Sequence, residues 1–321
     1  MPFAILFPGQ GSQQPGMGKF LIDEFAEARL VFEEASDFLG FDIKRLCFEG
    51  SVEELALTEN TQPCLLTVSI ATWQVIKKRF NPTVEACAGH SVGEYGALVA
   101  AGVIPFYQAV LAVRTRGQAM QSAVPVGEGG MTALLGLNEE QAQELCRHVV
   151  KKSGFAPLSP ANFNCPGQIV LSGSQKALQW LVNGVKAEDL WPESPPRMKL
   201  IPLSVSAPFH CELMKPAEDK MREVLNQIKF QATSFPVIQN LTAKAESQPE
   251  NLRENLIQQV SRPVQWNRSM KTLQEMGLSK AIELGTGKVL QGLLKKIDSE
   301  FFHVFNTNSL DDLKTIEKAC D

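Results

Sequence analysis

Ser91 stands in the run Gly89-His90-Ser91-Val92-Gly93, between a small apolar segment and a segment that favours a helix. A serine on a tight turn from a strand into a helix presents its hydroxyl away from the backbone, and flanking glycines leave space for the turn and for an incoming acyl group. The N-terminus of the helix directs free N–H groups toward the oxyanion that forms when the serine attacks a carbonyl. The pattern predicts a nucleophilic serine that carries out acyl transfer.

The base that such a serine needs must come from four histidines, which are His90, His148, His210 and His303. His148 lies on a predicted surface helix. His303 lies on a predicted strand near the C-terminus, where hydrolases with this kind of turn often keep their base. His90 is adjacent to the nucleophile in the chain, so its side chain starts in another direction. His210 remains, in a loop that precedes a predicted helix.

A hydrolase triad would add a carboxylate between the serine and the histidine in chain order. The only aspartate between Ser91 and His210 is Asp189, which falls in a predicted insertion. A Ser-Asp-His triad that ends at His210 is therefore poorly supported. Two hypotheses follow: either His303 completes a hydrolase triad, or His210 works in a dyad that a neutral acceptor, such as a backbone carbonyl, orients.

The segment Phe7–Gln13 directly follows the first predicted strand and is rich in glycine. Because the carboxyl ends of parallel strands share one edge of a sheet, this loop and the serine turn are expected to meet there. The backbone N–H of Gln10 can then pair with that of Val92 to form an oxyanion hole. The loop lacks the lysine and the glycine spacing of a phosphate-binding loop, and we expect no cofactor and no metal.

Short apolar runs alternate with amphipathic segments of helical length in the first part of the chain. Residues 3–7 and 86–89 are predicted strands, and residues 23–40 and 61–80 are predicted helices. This alternation predicts an α/β fold with a parallel sheet covered on both faces. The main sheet is expected to resume after residue 203 and to end with a strand at 301–305.

Residues 131–203 show a different order, β-α-β-β-α-β, which is the ferredoxin-like pattern. The flexible segment Pro125–Gly130 and the proline-rich segment Trp191–Pro196 flank this unit. Both have the composition of connections between domains. They predict the two hinges of an inserted subdomain.

The composition excludes several classes of protein. Hydrophobic residues make up 44% and charged residues 21% of the 321 residues, so disorder is not indicated. A net charge of −4 argues against a nucleic-acid partner. The seven scattered cysteines favour reduced thiols, and the apolar run Phe3–Phe7 is too short for a signal peptide or a membrane span. A cytoplasmic monomer without membrane contact is expected.

Several motifs together resemble the malonyl-CoA:acyl carrier protein transacylases, the acyltransferases of fatty acid and polyketide synthesis. The resemblance covers nearly the whole chain. The matching segments are Phe7–Gln13, Gly89–Tyr95, Arg114–Met120, Asn162–Gln168, Ala207–His210, Leu213–Ala217 and Gln259 ahead of Arg262–Trp266. The resemblance implies an α/β-hydrolase-like catalytic core at 1–126 and 200–321, with an inserted ferredoxin-like small subdomain at 127–199.

The resemblance also implies a role for individual residues. Ser91 would be acylated by a thioester, and His210 would act as its base, oriented by the main-chain carbonyl of Gln259. Gln10 and Val92 would hold the oxyanion.

Arg116 would bind the free malonyl carboxylate, since a planar guanidinium grips a carboxylate through two hydrogen bonds. The implied partners are malonyl-CoA and an acyl carrier protein. His90, Tyr95, Asn162 and Phe209 are candidates for the pocket lining.

Phe209 leaves the pathway open, because many fatty acid enzymes of the family have serine there and many polyketide enzymes have phenylalanine. Two other functions also stay open. A serine esterase or thioesterase would show contact between Ser91 and His303, and a catalytically silent binding homologue would acquire no malonyl group at Ser91.

Overall fold

The computed structural model describes residues 2–320. Its strands are β1 (Phe3–Phe7), β2 (Val84–Gly89), β3 (Gly129–Leu135), β4 (Leu158–Cys165), β5 (Gln168–Ser174), β6 (Lys199–Pro202), β7 (Val237–Ile238), β8 (Ala245–Glu246), β9 (Lys280–Glu283) and β10 (His303–Phe305). Its helices are α1 (Lys19–Glu24), α2 (Ala26–Leu39), α3 (Ile43–Glu49), α4 (Val52–Ala56), α5 (Thr58–Arg79), α6 (Gly93–Ala100), α7 (Phe106–Ser122), α8 (Glu139–Ser153), α9 (Gln175–Gly184), α10 (Lys215–Asn226), α11 (Pro249–Gln258), α12 (Trp266–Glu275), α13 (Val289–Asp298) and α14 (Leu310–Cys320). The predicted mixed α/β fold is confirmed.

The larger sheet has the strand order β10-β9-β1-β2-β7-β8 within the described residues. Neighbouring strands are parallel except for the antiparallel pair of β7 and β8. Side chains alternate between the faces of a strand, and β1 shows this clearly. Phe3, Ile5 and Phe7 enter one hydrophobic core, whereas Ala4 and Leu6 enter another. Helices therefore cover both faces, as the apolar run predicts.

The smaller sheet is antiparallel, with the order β4-β5-β3-β6. Helices α8 and α9 pack on it and enclose a separate core that includes Leu134, Leu145 and Leu178. The chain order of these elements is β-α-β-β-α-β. Strand β6 pairs with β3 as far as Pro202. The predicted end of the small subdomain at residue 199 coincides with the first residue of this strand.

Some helix predictions are corrected. The predicted helix at 23–40 corresponds to α2, and residues 23 and 24 instead end the preceding helix α1, because Phe25 has an extended backbone (φ −126°) between the two. Helices α3, α4 and α14 were not expected from the sequence pattern. The domain limits at Met1 and Asp321 lie outside the described residues. Across residues 2–320, the helices are all too short or too polar to traverse a lipid bilayer.

Candidate active site

The carboxyl ends of three neighbouring parallel strands place the main segments of the site. Strand β1 leads into the loop that contains Gln10, β2 into the turn at Ser91, and β7 into Gln239 and Asn240. Since β2 lies between β1 and β7 in the sheet, these segments meet at one edge.

The turn at Ser91 is a strained junction between β2 and α6. Ser91 has φ 51°, a left-handed conformation that is uncommon for residues other than glycine. The Asn240 side chain spans the turn, because Oδ1 accepts from the Ser91 N–H (2.6 Å) and Nδ2 donates to the Gly89 carbonyl (2.6 Å). A Cβ on Gly93 would lie 2.2 Å from the Phe7 carbonyl oxygen, so only glycine allows this close approach.

His210 faces the nucleophile. Its Nε2 lies 2.7 Å from Ser91 Oγ, and its Nδ1 lies 2.8 Å from the main-chain carbonyl oxygen of Gln259. That carbonyl can only accept, so Nδ1 carries the proton and Nε2 is free to accept the hydroxyl proton of Ser91. Burial, followed by the positive charge of Arg116, lowers the pKa of His210 to about 3. The imidazole is therefore neutral at physiological pH.

His303 and His148 do not contact the nucleophile. His303 is exposed on β10, the outermost strand of the larger sheet, and His148 on α8 lies beside Trp180 with their ring centres 6.5 Å apart. The hypothesis of a hydrolase triad completed by His303 is therefore wrong, because the partner of Ser91 is His210. No carboxylate takes the place of the Gln259 carbonyl at His210 Nδ1 within residues 2–320.

Arg116 extends from α7 toward the nucleophile and is 1% exposed. Its Nη1 donates to Gln62 Oε1 (2.9 Å), and its Nη2 donates to Ser91 Oγ and to Gln259 Oε1 (both 3.1 Å). Its Nε has no partner among the described residues, and no carboxylate of that part of the chain forms a salt bridge with it. Burial lowers the pKa of Arg116, yet a guanidinium stays charged. The site thus holds a desolvated cation with unused hydrogen-bonding capacity.

A cavity of about 390 Å³ opens beside these groups. Residues of the smaller sheet, of helices α5 and α7, and of loops that include those after β1 and β2 line it, among them Ser91, Arg116, His210, Gln10, His90, Asn162, Asn164 and Phe209. His90 Nε2 lies 2.9 Å from Asn164 Oδ1, which fixes its ring at the rim. Tyr95 does not line the cavity, and that prediction is corrected. Its ring is fully buried with its centre 5.9 Å from the Arg116 guanidinium carbon, since α6 points it into the core.

The two backbone N–H groups predicted to bind an oxyanion belong to the loop after β1 and to the turn after β2. Val92 immediately precedes α6, and Gln10 lies in the loop after β1. Neither N–H donates to an acceptor in the part of the chain that the structure describes. A Cβ on Gly9 would lie 2.5 Å from the His90 carbonyl oxygen, so the loop of Gln10 packs directly on the turn.

Some residues of the site were not identified from the sequence. Gln62 lies inside the long helix α5, where nothing in the pattern distinguishes it from a core position. Asn240 follows β7 at the same sheet edge as Ser91, so its position after a predicted strand was the available signal. Glu94, Asn164 and the side chain of Gln259 also take part, although the resemblance had pointed only to the Gln259 carbonyl.

Comparison with known proteins agrees with this geometry. The family described as "Acyl transferase domain" matches residues 4–300. The malonyl CoA-acyl carrier protein transacylase of Bacillus subtilis (strain 168) is 43% identical over 316 residues, which cover 98% of this chain and 95% of that protein. A crystal structure of an acyl carrier protein S-malonyltransferase from Vibrio cholerae superposes with a TM-score of 0.91 at 40% identity, covering 98% of this chain and 100% of that chain.

A second solved structure contains a holo type II PKS acyl-carrier protein in complex with its malonyl-transacylase. It matches with a TM-score of 0.91 at 39% identity, covering 99% of this chain and 100% of that chain. These likenesses extend over nearly the whole chain and include the segments that build the cavity. The chain therefore belongs to the acyl transferase family, and within that family to the malonyl CoA-acyl carrier protein transacylases.

Proposed function

We propose that the protein transfers a malonyl group from malonyl-CoA to the phosphopantetheine thiol of an acyl carrier protein through a malonyl-Ser91 intermediate. The observation that carries this proposal is the 2.7 Å contact between Ser91 Oγ and His210 Nε2 beside the buried guanidinium of Arg116. The reaction serves fatty acid or polyketide synthesis. It needs no cofactor.

In the first half-reaction Ser91 Oγ attacks the thioester carbonyl while its proton passes to His210 Nε2. The negative charge on the tetrahedral oxygen is held by the N–H groups of Gln10 and Val92. The intermediate then breaks its C–S bond, and His210 returns the proton to the departing CoA sulfur. The Gln259 carbonyl stabilises the imidazolium during this step by accepting from Nδ1–H.

The second half-reaction runs the same chemistry in reverse. The carrier thiol gives its proton to His210 and attacks the malonyl ester on Ser91. The C–O bond breaks, and the proton returns to Ser91 Oγ. Such a ping-pong cycle requires CoA to leave before the carrier protein enters.

Arg116 supplies the preference for a dicarboxylic acyl group. A buried cation without a carboxylate partner is unfavourable unless an anion pairs with it. The malonyl carboxylate supplies that anion beside the nucleophile, and the planar guanidinium can bind it through two hydrogen bonds. Phe209, together with His90 and Asn162, bounds the space around the acyl group.

We also infer an α/β-hydrolase-like core and a ferredoxin-like small subdomain for this architecture. The order β4-β5-β3-β6 and the β-α-β-β-α-β succession support the second part. We place the end of the small subdomain after Pro202 instead of at residue 199, because β6 pairs with β3 as far as Pro202. The core then comprises 1–126 and the residues after β6. The cavity lies between them, because Asn162 and Val170 of the small sheet face Ser91 and His210 of the core across it.

The test is the intact mass of the protein after mixing with malonyl-CoA and then with a holo-acyl carrier protein. A malonyl adduct on Ser91 that disappears as malonyl-carrier protein forms supports the proposal. An adduct that water releases at the same rate without the carrier protein indicates a thioesterase instead. Absence of any adduct indicates a binding homologue without activity.

A further inference from the structure

Glu94 is a buried carboxylate that the proposed mechanism does not use. It lies in the first turn of α6, three positions after the nucleophile, and is 0% exposed. Its Oε1 accepts from the Gln239 side chain (3.0 Å), and its Oε2 accepts from the Asn240 backbone N–H (2.8 Å) and from Gln259 Nε2 (2.9 Å). All of these partners are donors, so they fit the ionised carboxylate, which only accepts.

The Gln259 side-chain amide lies between two buried charges. Its Nε2 donates to Glu94, and its Oε1 accepts from Arg116 Nη2. A flipped amide would place its NH₂ against the guanidinium and its oxygen against the carboxylate, so the charges on both sides fix its orientation. The main-chain carbonyl of the same residue holds His210. Fixing the amide thus helps to fix the acceptor that orients the base.

A second branch leads from Glu94 to the nucleophile. Glu94 holds the backbone N–H of Asn240, and the side chain of Asn240 bonds both to the Ser91 N–H and to the Gly89 carbonyl. Gln259 Nε2 also lies 3.2 Å from the Ser91 carbonyl oxygen. The left-handed backbone of Ser91 is therefore held by groups that are themselves held by one carboxylate.

We propose that Glu94 is a positioning residue for acyl transfer. Its ionised carboxylate holds Gln259 and Asn240, through which it fixes the base and the nucleophile, and it is the counter-charge of Arg116 across the Gln259 amide. This inference rests on the proposed function. It assigns Glu94 no contact with the substrate.

The test compares Glu94→Gln with Glu283→Gln by rapid-quench measurement of malonyl-Ser91 formation. Glu283 is a matched control because it is 1% exposed and also accepts from the N–H groups of Leu290 and Gln291 and from the amide of Asn306. Neither Glu283 nor these donors line the cavity. We expect Glu94→Gln to lower the acylation rate constant on the order of 10²-fold, as for a small displacement of reacting groups. The dissociation constant of malonyl-CoA should stay the same or fall, because Arg116 loses its internal counter-charge. Glu283→Gln should keep the wild-type rate.

A second variant, Gln259→Met, keeps the main-chain carbonyl and removes the amide. It should slow acylation as Glu94→Gln does. The fold-loss in the acylation rate constant of the double variant should be smaller than the product of the two single fold-losses, because both substitutions break the same chain of contacts. If Glu94→Gln does not fold, Gln259→Met decides alone: slow acylation supports the inference, and a wild-type rate overturns it.

Three results for Glu94→Gln would overturn the inference. The first is a wild-type acylation rate, and the second is an equal loss of rate in Glu283→Gln. The third is a loss of rate accompanied by weaker binding of malonyl-CoA. Failure of the proposed function would be seen separately, as an absence of malonyl-Ser91 in the wild-type protein.

Discussion

Arg116→Ala is expected to remove most of the preference for malonyl over acetyl thioesters. The guanidinium is 1% exposed, and Gln62, Ser91 and Gln259 account for its Nη contacts, whereas Nε has no partner in residues 2–320. A malonyl carboxylate completes this set of acceptors. The variant would leave that carboxylate in a desolvated cavity without a cation beside it.

The magnitude follows from the burial of the pair. Removing one partner of a buried ion pair destabilises the other by roughly 3–5 kcal/mol. At about 1.4 kcal/mol for each factor of ten, malonyl loading should fall roughly 10²- to 4 × 10³-fold. Acetyl loading loses only the 3.1 Å donation from Arg116 Nη2 to Ser91 Oγ. That hydrogen bond is worth about 1 kcal/mol, so the acetyl rate should fall roughly fivefold.

The assay is rapid quench of the enzyme with malonyl-CoA or acetyl-CoA, followed by mass measurement of acylated Ser91. Arg114→Ala is the matched control. Arg114 lies on the same helix, bonds to the carbonyl of Glu59 and the side chain of Asn60, and is not part of the cavity wall. Arg114→Ala should therefore load both thioesters at the wild-type rate. An equal loss of both substrates in Arg116→Ala would refute the reasoning and make Arg116 a structural residue.

Three further predictions concern the nucleophile, the base and the pocket wall. Ser91→Ala should abolish covalent loading, and His210→Ala should slow it on the order of 10³-fold, as intact mass after malonyl-CoA treatment will show; normal loading by either variant contradicts the mechanism. The lowered pKa of His210, about 3, keeps its neutral form available as pH falls, so kcat/KM for acylation should stay level from pH 8 to pH 5. A histidine with the ordinary pKa near 6.5 would lose roughly 30-fold at pH 5, and a profile that bends there would show that the buried geometry does not persist in solution. Phe209 lines the cavity beside the base, so methylmalonyl-CoA should load about 10- to 200-fold less efficiently than malonyl-CoA, with Phe209→Ser reducing the difference; equal kcat/KM values in the wild type would exclude this role.

Patterning predicted the elements that bury a whole face. The apolar run of β1 and the succession around α8 and α9 were assigned correctly because their periodicity reflects packing on a core. The short helices α3 and α4 were missed because five to seven residues hold too few turns to show a period. The break between α1 and α2 depends on the extended backbone of Phe25, and no residue type in this segment predicts that conformation.

The site was predictable where chemistry and local geometry coincide. Ser91 has a turn signature in its immediate neighbours, and elimination together with the resemblance pointed to His210. Gln62 and Asn240 were not predicted, because each contacts a residue that is distant in the chain. Gln62 contacts Arg116, 54 positions away, and Asn240 contacts Ser91, 149 positions away. The first pairing depends on the packing of α5 against α7, and the second on the adjacency of β2 and β7 in the sheet; a single sequence displays neither.

The acceptor of the His210 proton is a peptide carbonyl, and the groups proposed to hold the oxyanion are peptide N–H groups. A conventional mutational scan replaces side chains, so it would leave these atoms in place and would understate the importance of positions 10 and 92. Proline removes an N–H, and replacement of a peptide bond by an ester removes it without changing the side chain. Side-chain substitutions of this enzyme would therefore leave part of its catalytic centre undetected, and only changes to the backbone would reveal that part.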